Sequence, residues 1–570
     1  MQNIIFLVLR RMRAPLVVLL CAYAISVVGF TLIPGVDNAG QPWRMDFFHA
    51  FYFVSFMGST IGFGEIPYPF TGAQRLWTTF SIYATVISWL YAIGTLISLM
   101  QNPALRQAVT YSSFTRRVRR IAEPFYLVCG CGDTGKLLIH ALALRNIRVV
   151  TMDIDKDRIN DLELEDLDIS VPALCGDATD SEFLIAAGLN HPCCAAVVAL
   201  TRNDEANLKI AIASKLLNPK LPVICRAQTH DVEDNMASFG TDHIINPFDT
   251  FADHLAMALT KPGMLLLHDW LTSAPNTPLT EPIFPPQGRW VLCGFGRFGK
   301  AVGDRLNRTG CETTIVELSP DITDAPVDVI VGRGTEADTL QEAGISSAVG
   351  IIAGTDNDAN NLSIVMTADH LKPELFMVAR QNRSRNSDMF RLAKLDLITH
   401  HSGIIASRIR AIITTPLTSE FLAQTANQSE QWANRLISRI CGVVEHHVPY
   451  TWVVHINEQS SPAVVEALQQ FDSVRIDTLY RDSTDRKRYL QCIGLLIKRH
   501  GEIRLLPSHK ETLRHGDQIL FCGHERAARR MRLLVTDPIS LTYTITGKHL
   551  PTGWFWRWLE QRRKTAAESA

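Results

Sequence analysis

Hydrophobic and polar positions divide this chain into two regimes. Twenty consecutive residues from Ala14 to Ile33, and twenty-five from Leu76 to Met100, carry no charge. Each run is long enough, at about 1.5 Å of helical rise per residue, to cross a hydrocarbon core of roughly 30 Å. The pattern predicts transmembrane helices over about 14–33 and 76–100. No comparable run follows Met100. From there short apolar stretches alternate with amphipathic helical ones, the pattern of βαβ units and a parallel sheet.

Arg10, Arg11 and Arg13 before the first run, with "AYA" at 22–24, mimic a signal peptide. The apolar run outlasts a signal sequence, which favours a retained span. Arginines ahead of the first span and at Arg106, Arg116, Arg117, Arg119 and Arg120 after the second predict that both termini are cytoplasmic. The expected location is the cell (inner) membrane, with the chain crossing it more than once.

Between the spans, "RMDFFHAFYFVSFMGSTIGFGEIPYPF" is too short and interrupted for a third crossing. Residues 46–57 have helix length, and Pro67 and Pro69 forbid helix after "STIGFGE". Non-helical backbone at membrane depth is tolerated where it is buried in protein or lines a watery path. Gly62 and Gly64 allow the carbonyls of Thr60, Ile61, Gly62 and Phe63 to face one way and replace the water shell of a cation. A membrane-buried loop without conduction is the plainer alternative.

The cytoplasmic part is duplicated. "FYLVCGCGDTGKLLIHALALRNIRVVTMDID" reads as strand, G-x-G-x-x-G at Gly130, Gly132 and Gly135, helix, strand and Asp153, a dinucleotide-binding unit. The glycines bring a pyrophosphate close to a helix N-terminus, and Asp153 is placed for ribose hydroxyls. Gly294, Gly296, Gly299 and Glu317 each stand 164 positions further on. "CGDATDSEFLIAAGL" then matches "VGRGTEADTLQEAGI" at an offset of 156, and "ALTRNDEANL" matches "AGTDNDANNL" at 154, with Arg226 aligned to Arg380. Offsets that change only between segments mark a true internal repeat. Both glycine loops also satisfy seven positions of a P-loop, but Leu137 and Ala301 stand where the Mg²⁺-binding Ser or Thr belongs, which disfavours NTP hydrolysis.

Twelve cysteines without a C-x-x-C pair read as reduced, mostly buried thiols, the Cys129/Cys131 and Cys193/Cys194 pairs included. A formal net charge of −1 offers no footprint for nucleic acid. The paired histidines His400/His401 and His446/His447 read as surface or hydrogen-bonded groups rather than metal ligands.

Thr60, Ile61, Gly62, Phe63, Gly64 and Glu65 resemble the potassium-channel signature T-V-G-Y-G-D, and the two-span layout resembles that family over roughly 14–105. Phe63 lacks the tyrosine hydroxyl and Glu65 replaces Asp. The resemblance implies a homotetramer, K⁺ in the filter, membrane lipid around the spans and the second span lining the cavity. Gly94 is then either a hinge of that inner helix or a close-packing site.

The repeat resembles the RCK domain, the regulator of potassium conductance, over about 122–267 and 288–410. By matching position it implies a nucleotide, NAD(H) or ADP/ATP, held in the first copy by Gly130, Gly132, Asp133, Thr134, Gly135, Asp153, Asp177, Ala178, Thr201, Asn203 and Arg226. In the second copy the corresponding positions are Gly294, Gly296, Arg297, Phe298, Gly299, Glu317, Arg333, Gly334 and Thr355. Arg333 replaces the Asp of G-D-A-T, so it either favours a phosphate-bearing ligand or marks a degenerate site. Segments 246–267 and 402–414 look like the family's crossover helices, which pair RCK domains. "IGLLIKRHGEIRLLPSHKETLRHGDQILFCG" resembles its C-terminal subdomain, where acidic residues leave a divalent ion such as Ca²⁺ open. The tail "GWFWRWLEQRRK" is expected as a terminal helix docked on its own domain, the alternative being a segment that lies on a membrane surface.

The expected fold is an α-helical two-span pore domain with a re-entrant loop, two α/β Rossmann-like RCK domains and a small α+β C-terminal subdomain. The expected domains are a pore domain at 1–105, a linker to the gate at 106–121 and a first RCK domain at 122–272. A Pro-rich linker follows at 273–287, then the second RCK domain at 288–449, the C-terminal subdomain at 450–545 and the tail at 546–570. The function this implies is a tetrameric, nucleotide-gated potassium channel, not an enzyme, since no acid/base constellation stands at a nicotinamide position. The alternatives are a weakly selective cation channel with the same gating, and a non-conducting nucleotide-sensing membrane scaffold.

Overall fold

Thr71 and Gln74 form a reciprocal capping box, which restarts helix after the prolines at 67 and 69 and begins the long helix Gly72–Gln101. The computed structural model describes residues 2–471 and 473–548; the tail "GWFWRWLEQRRK" lies outside them. The chain divides into two units, 1–120 and 121–570.

In the first unit, helix Gln2–Leu32 starts earlier than the uncharged run, because nothing in the basic stretch before it breaks a helix. Its portion Arg10–Leu32, and Gly72–Gln101, are the two helices long and apolar enough to cross a membrane among the described residues. They pack directly on each other. Trp77 Nε1 donates to the Ser26 carbonyl at 3.1 Å, and a Cβ at Gly29 would meet that indole at 2.0 Å. The short helix Phe47–Gly58 is capped by Asp46, which accepts from His49 N at 2.7 Å. Phe30 and Phe53, on the first two helices, meet Phe70 of the loop that leads into the third, with ring centroids 4.9–5.9 Å apart. The stretch expected as a linker is mostly helix, Pro103–Arg119, started by the Asn102 side chain and by proline at its first position.

In the second unit each repeat folds into a six-stranded parallel sheet in the order third, second, first, fourth, fifth, sixth. The central first strands are Phe125–Cys129 and Arg289–Cys293, and both are almost wholly buried, as strands covered by helices on both faces must be. The third sheet is antiparallel, ordered Tyr450–His455, Gln518–Gly523, Cys492–Arg499, Glu502–Leu505, with helices such as Glu525–Thr536 against it.

The two repeats exchange helices. Helix Pro247–Thr260, which leaves the first sheet, packs on helix Arg297–Arg308 of the second through Phe248, Phe251 and Leu255 against Phe298, Val302 and Leu306. Helix His401–Thr414, which leaves the second sheet, packs on helix Asp133–Ala143 of the first through Ile405 and Ile409 against Leu138 and Leu142. These two crossing helices start 154 residues apart and have equal length, so the internal repeat extends through them.

Candidate filter loop and nucleotide clefts

The last turn of helix Phe47–Gly58 unwinds into the loop. Thr60 N donates to Met57 O at 3.1 Å and Ile61 N to Phe56 O at 3.0 Å, after which no helical bond follows. Backbone φ is then positive at every second residue: 62° at Thr60, 67° at Gly62 and 95° at Gly64. Alternating left- and right-handed residues turn successive carbonyls to one side, where a fully extended strand would alternate them. A Cβ at Gly62 or Gly64 would meet nothing within 4 Å, so glycine is required here by conformation and not by space.

Two contacts hold the loop. Phe63, lacking a hydroxyl, sets its ring edge-on against Phe56 of the short helix, centroids 5.4 Å apart. Glu65 accepts from Arg75 Nε at 2.8 Å, from Arg75 Nη2 at 3.1 Å and from Phe70 N at 2.8 Å, tying the exit of the loop to the start of the second long helix. Gly94 lies within that unbroken helix, and a Cβ there would meet nothing within 4 Å.

The two Rossmann sheets each open a cleft at the carboxyl ends of their strands. The first measures about 470 Å³ and is lined by Gly130, Gly132, Asp153, Asp177, Ala178, Thr201 and Asn203 among others. Helix Asp133–Ala143 begins at Gly132 without a side-chain cap, so its first N–H groups are free for an anion. Close packing allows this: a Cβ at Gly135 would stand 2.0 Å from Gly130 O. Asp153, 5% exposed, accepts from Cys131 N at 2.6 Å and from Asp155 N at 2.8 Å. Arg158 Nη1 also donates to Asp153 Oδ2, at 3.5 Å, so Oδ1 is the oxygen that retains capacity for a hydroxyl donor.

The second cleft repeats the design at about 230 Å³, lined by Gly294, Gly296, Glu317, Arg333, Thr355 and Arg380 among others. Glu317 accepts from Phe295 N at 2.6 Å and Ser319 N at 3.0 Å. A Cβ at Gly299 would stand 2.0 Å from Gly294 O, and helix Arg297–Arg308 also begins without a side-chain cap. Gly334 is left-handed, at φ 72°, and a Cβ there would press on Cys293 Sγ at 2.7 Å.

Not every sequence-marked position faces a cleft. Asp133, Thr134 and Gly135 stand in the first turn of their helix; Asp133 Oδ2 accepts weakly from Ser384 N of the other repeat, at 3.4 Å. Asn203 caps helix Asp204–Leu217 while bordering the cleft. The Arg226 guanidinium is buried beside Asp204, Arg202, Arg297 and Arg380, and loss of water pulls it down to about 10. Phe298 is fully buried against Phe251, centroids 5.4 Å apart, and the Arg297 guanidinium lies over the Phe248 ring at 5.5 Å.

One residue that sequence reasoning passed over is Asn207. It is fully buried; its Oδ1 accepts from Thr201 N at 2.9 Å and Thr201 Oγ1 at 2.7 Å, and its Nδ2 donates to Thr201 O and Arg226 O. Asn361 makes the same four bonds to Thr355 and Arg380. Its signal was the second Asn of T-x-N-D-x-x-N-L. Cys129 and Cys131 are fully buried core thiols, burial pushing Cys131 up to about 11, and Cys194 is buried too, while Cys193 is partly exposed.

Comparison with known proteins gives two family matches. Residues 17–102 match the ion channel family, and residues 126–247 and 290–401 each match the TrkA-N domain. Potassium channel protein 1 of Methanocaldococcus jannaschii is 25% identical over 220 residues, covering 39% of this chain and 64% of that one. The Trk system potassium uptake protein TrkA homolog of Methanothermobacter thermautotrophicus is 29% identical over 138 residues, covering 23% of this chain and 63% of that one. An uncharacterized protein of Methanothermus fervidus is 28% identical over 243 residues, 43% of this chain and 37% of that one. The chain thus spans less than two thirds of the length of these relatives. Among solved structures, the GsuK channel shares the fold at a TM-score of 0.50 and 16% identity, over 96% of this chain and all of that one.

Proposed function

We propose that this chain, an ion-channel segment followed by two TrkA-N domains, is a potassium channel with RCK domains in which four copies enclose one K⁺-selective pore gated by a nucleotide. The observation that carries the reading is the alternation of backbone handedness at Thr60, Gly62 and Gly64, directly after a short apolar helix and between two helices of spanning length. Carbonyls aligned in this way offer a dehydrating cation the oxygens it needs.

Two spans cannot close a ring alone. Ile61 and Phe63 are 61% and 65% exposed in the single chain, and so is an apolar face at Phe80, Tyr83, Ile87 and Leu90. Neighbouring copies and lipid would cover these groups, which supports the tetramer. Both termini are then cytoplasmic, and Gly94 serves as the place where the inner helix bends.

In the first cleft NAD(H) or an adenine nucleotide would set its phosphates on the uncapped start of helix Asp133–Ala143 and its ribose hydroxyls on Asp153. The second cleft offers Glu317 in the same place, with Arg333 adding a positive charge. Gating follows from linkage: a ligand that binds one arrangement of the RCK ring tenfold better shifts the ring by about 1.4 kcal/mol per site, and one with equal affinity for both shifts nothing.

Recording from the purified chain in a planar bilayer under a K⁺/Na⁺ gradient tests this, with NAD(H) and then ADP added to one side. The reading expects reversal near the K⁺ potential and a nucleotide-dependent open probability. Reversal near zero would favour a weakly selective cation channel, and absence of current a non-conducting nucleotide sensor.

A further inference from the structure

We propose that His254, His268 and Asp269 form a binding site for a late first-row divalent metal ion of the Zn²⁺ class, which clamps the two halves of the first crossover together. The geometry starts from a break in the chain. Helix Pro247–Thr260 ends at Lys261 and helix Pro262–Thr272 begins with a proline, which cannot continue the preceding hydrogen-bond ladder. His254 and His268 stand seven residues on either side of Lys261. Two turns out along each helix, the fold brings their rings to 4.7 Å between centroids at 70°.

The donor atoms of the three side chains all lie within 4.8 Å of one another, and all three residues border a cavity of about 240 Å³. His268 Nδ1 is buried without a hydrogen-bond partner, 3.7 Å from Asp269 Oδ1, too far for a hydrogen bond. Ligands at about 2.0–2.1 Å from a tetrahedral ion stand about 3.3 Å apart, so only a small closure of the side chains is needed.

Two imidazoles and one carboxylate suit Zn²⁺, Ni²⁺ or Co²⁺, whereas Ca²⁺ requires six or more oxygens. Arg408 also borders the cavity; its Nη1 donates to Thr250 Oγ1 at 3.0 Å, and Asp253 and Asp269 supply opposing charge. The site belongs to the first repeat alone. At the offset of 154 the second repeat carries Arg408, Leu422 and Ala423 in place of the three ligands. A bound ion would stiffen the break at Lys261.

The test uses the full-length chain in detergent, stripped with chelator and titrated with Co²⁺. The expected result is one Co²⁺ per chain with visible d–d absorption, bleached by Zn²⁺ and lost in His268→Ala and Asp269→Asn. Each variant is first required to elute as the wild type does. Asp269→Asn preserves the side chain's size and carries the test if His268→Ala aggregates. No visible band in the wild type overturns the proposal, as does a band that survives both substitutions. A band that falls instead with His230→Ala would place the ion at the other grouping of possible ligands, His230, Glu233 and Asp249. Strong near-ultraviolet charge transfer would mean cysteine ligands and would also overturn it.

Discussion

The side-chain amide of Asn207 donates to the backbone carbonyl of Arg226 at 2.9 Å, fastening the end of one parallel strand to the turn that follows its neighbour. Asn207→Ala would leave Thr201 N and Arg226 O without these partners, at about 1–3 kcal/mol for each buried group. We expect a lower melting temperature and loss of nucleotide binding at the first cleft. Asn361→Ala should do the same at the second cleft only. Calorimetric titration of the two variants separates these effects, and equal loss at both clefts would contradict them.

Phe298 sits in the second glycine loop yet serves the joint between repeats. Phe298→Ala removes a fully buried ring that meets Phe251 and lies under Arg380. The expected cost is about 3–5 kcal/mol. Limited proteolysis should show earlier cutting in the segment 273–287, while nucleotide affinity at the first cleft stays close to wild type.

Glu65 and Arg75 anchor the exit of the filter loop. Arg75→Ala and Glu65→Val should each lower the K⁺/Na⁺ permeability ratio several-fold and shorten openings. Their double substitution should do little more than either alone, because both remove one interaction. Bi-ionic reversal potentials measure the ratio; additive effects would show that the two residues act separately.

Stability should fall as pH drops below neutral. His254 titrates near 4 in the fold and near 6.5 when unfolded, because burial and the neighbouring His268 oppose its charge. Above 6.5 both states are neutral there and the group contributes nothing. Between 6.5 and 4 the unfolded chain takes up the proton first, costing about 1.4 kcal/mol per pH unit. His243 and His400, also lowered by burial, act in the same sense. His254→Gln should flatten the dependence of melting temperature on pH over this interval.

Much of this architecture was legible along the chain, because long uncharged runs and glycine fingerprints are local signals. The repeat offset of 164 between Gly130 and Gly294 located both Rossmann units without any structure. Roles that depend on which strand ends meet were not legible. Asn203 and Asn207 share one motif; the first turned out to cap a helix, and the second braces two strand ends, one of them at Arg226, 19 residues further on. Arg297 and Phe298 occupy loop positions that a nucleotide reading claims, but packing from the other repeat's helix directs both to the joint. Helix Pro103–Arg119 was hidden by its polarity, although Asn102 and Pro103 spelled out its start.

The exchanged crossover helices carry a consequence for inheritance. Two identical domains that swap helices form a symmetric pair, and any mutation in one pocket is copied into the other. Here the pair is written into a single polypeptide, so each half can drift by itself, as Asp153 against Glu317 and Asp177 against Arg333 already have. One gene can therefore encode two clefts of different lining and still guarantee them in equal number.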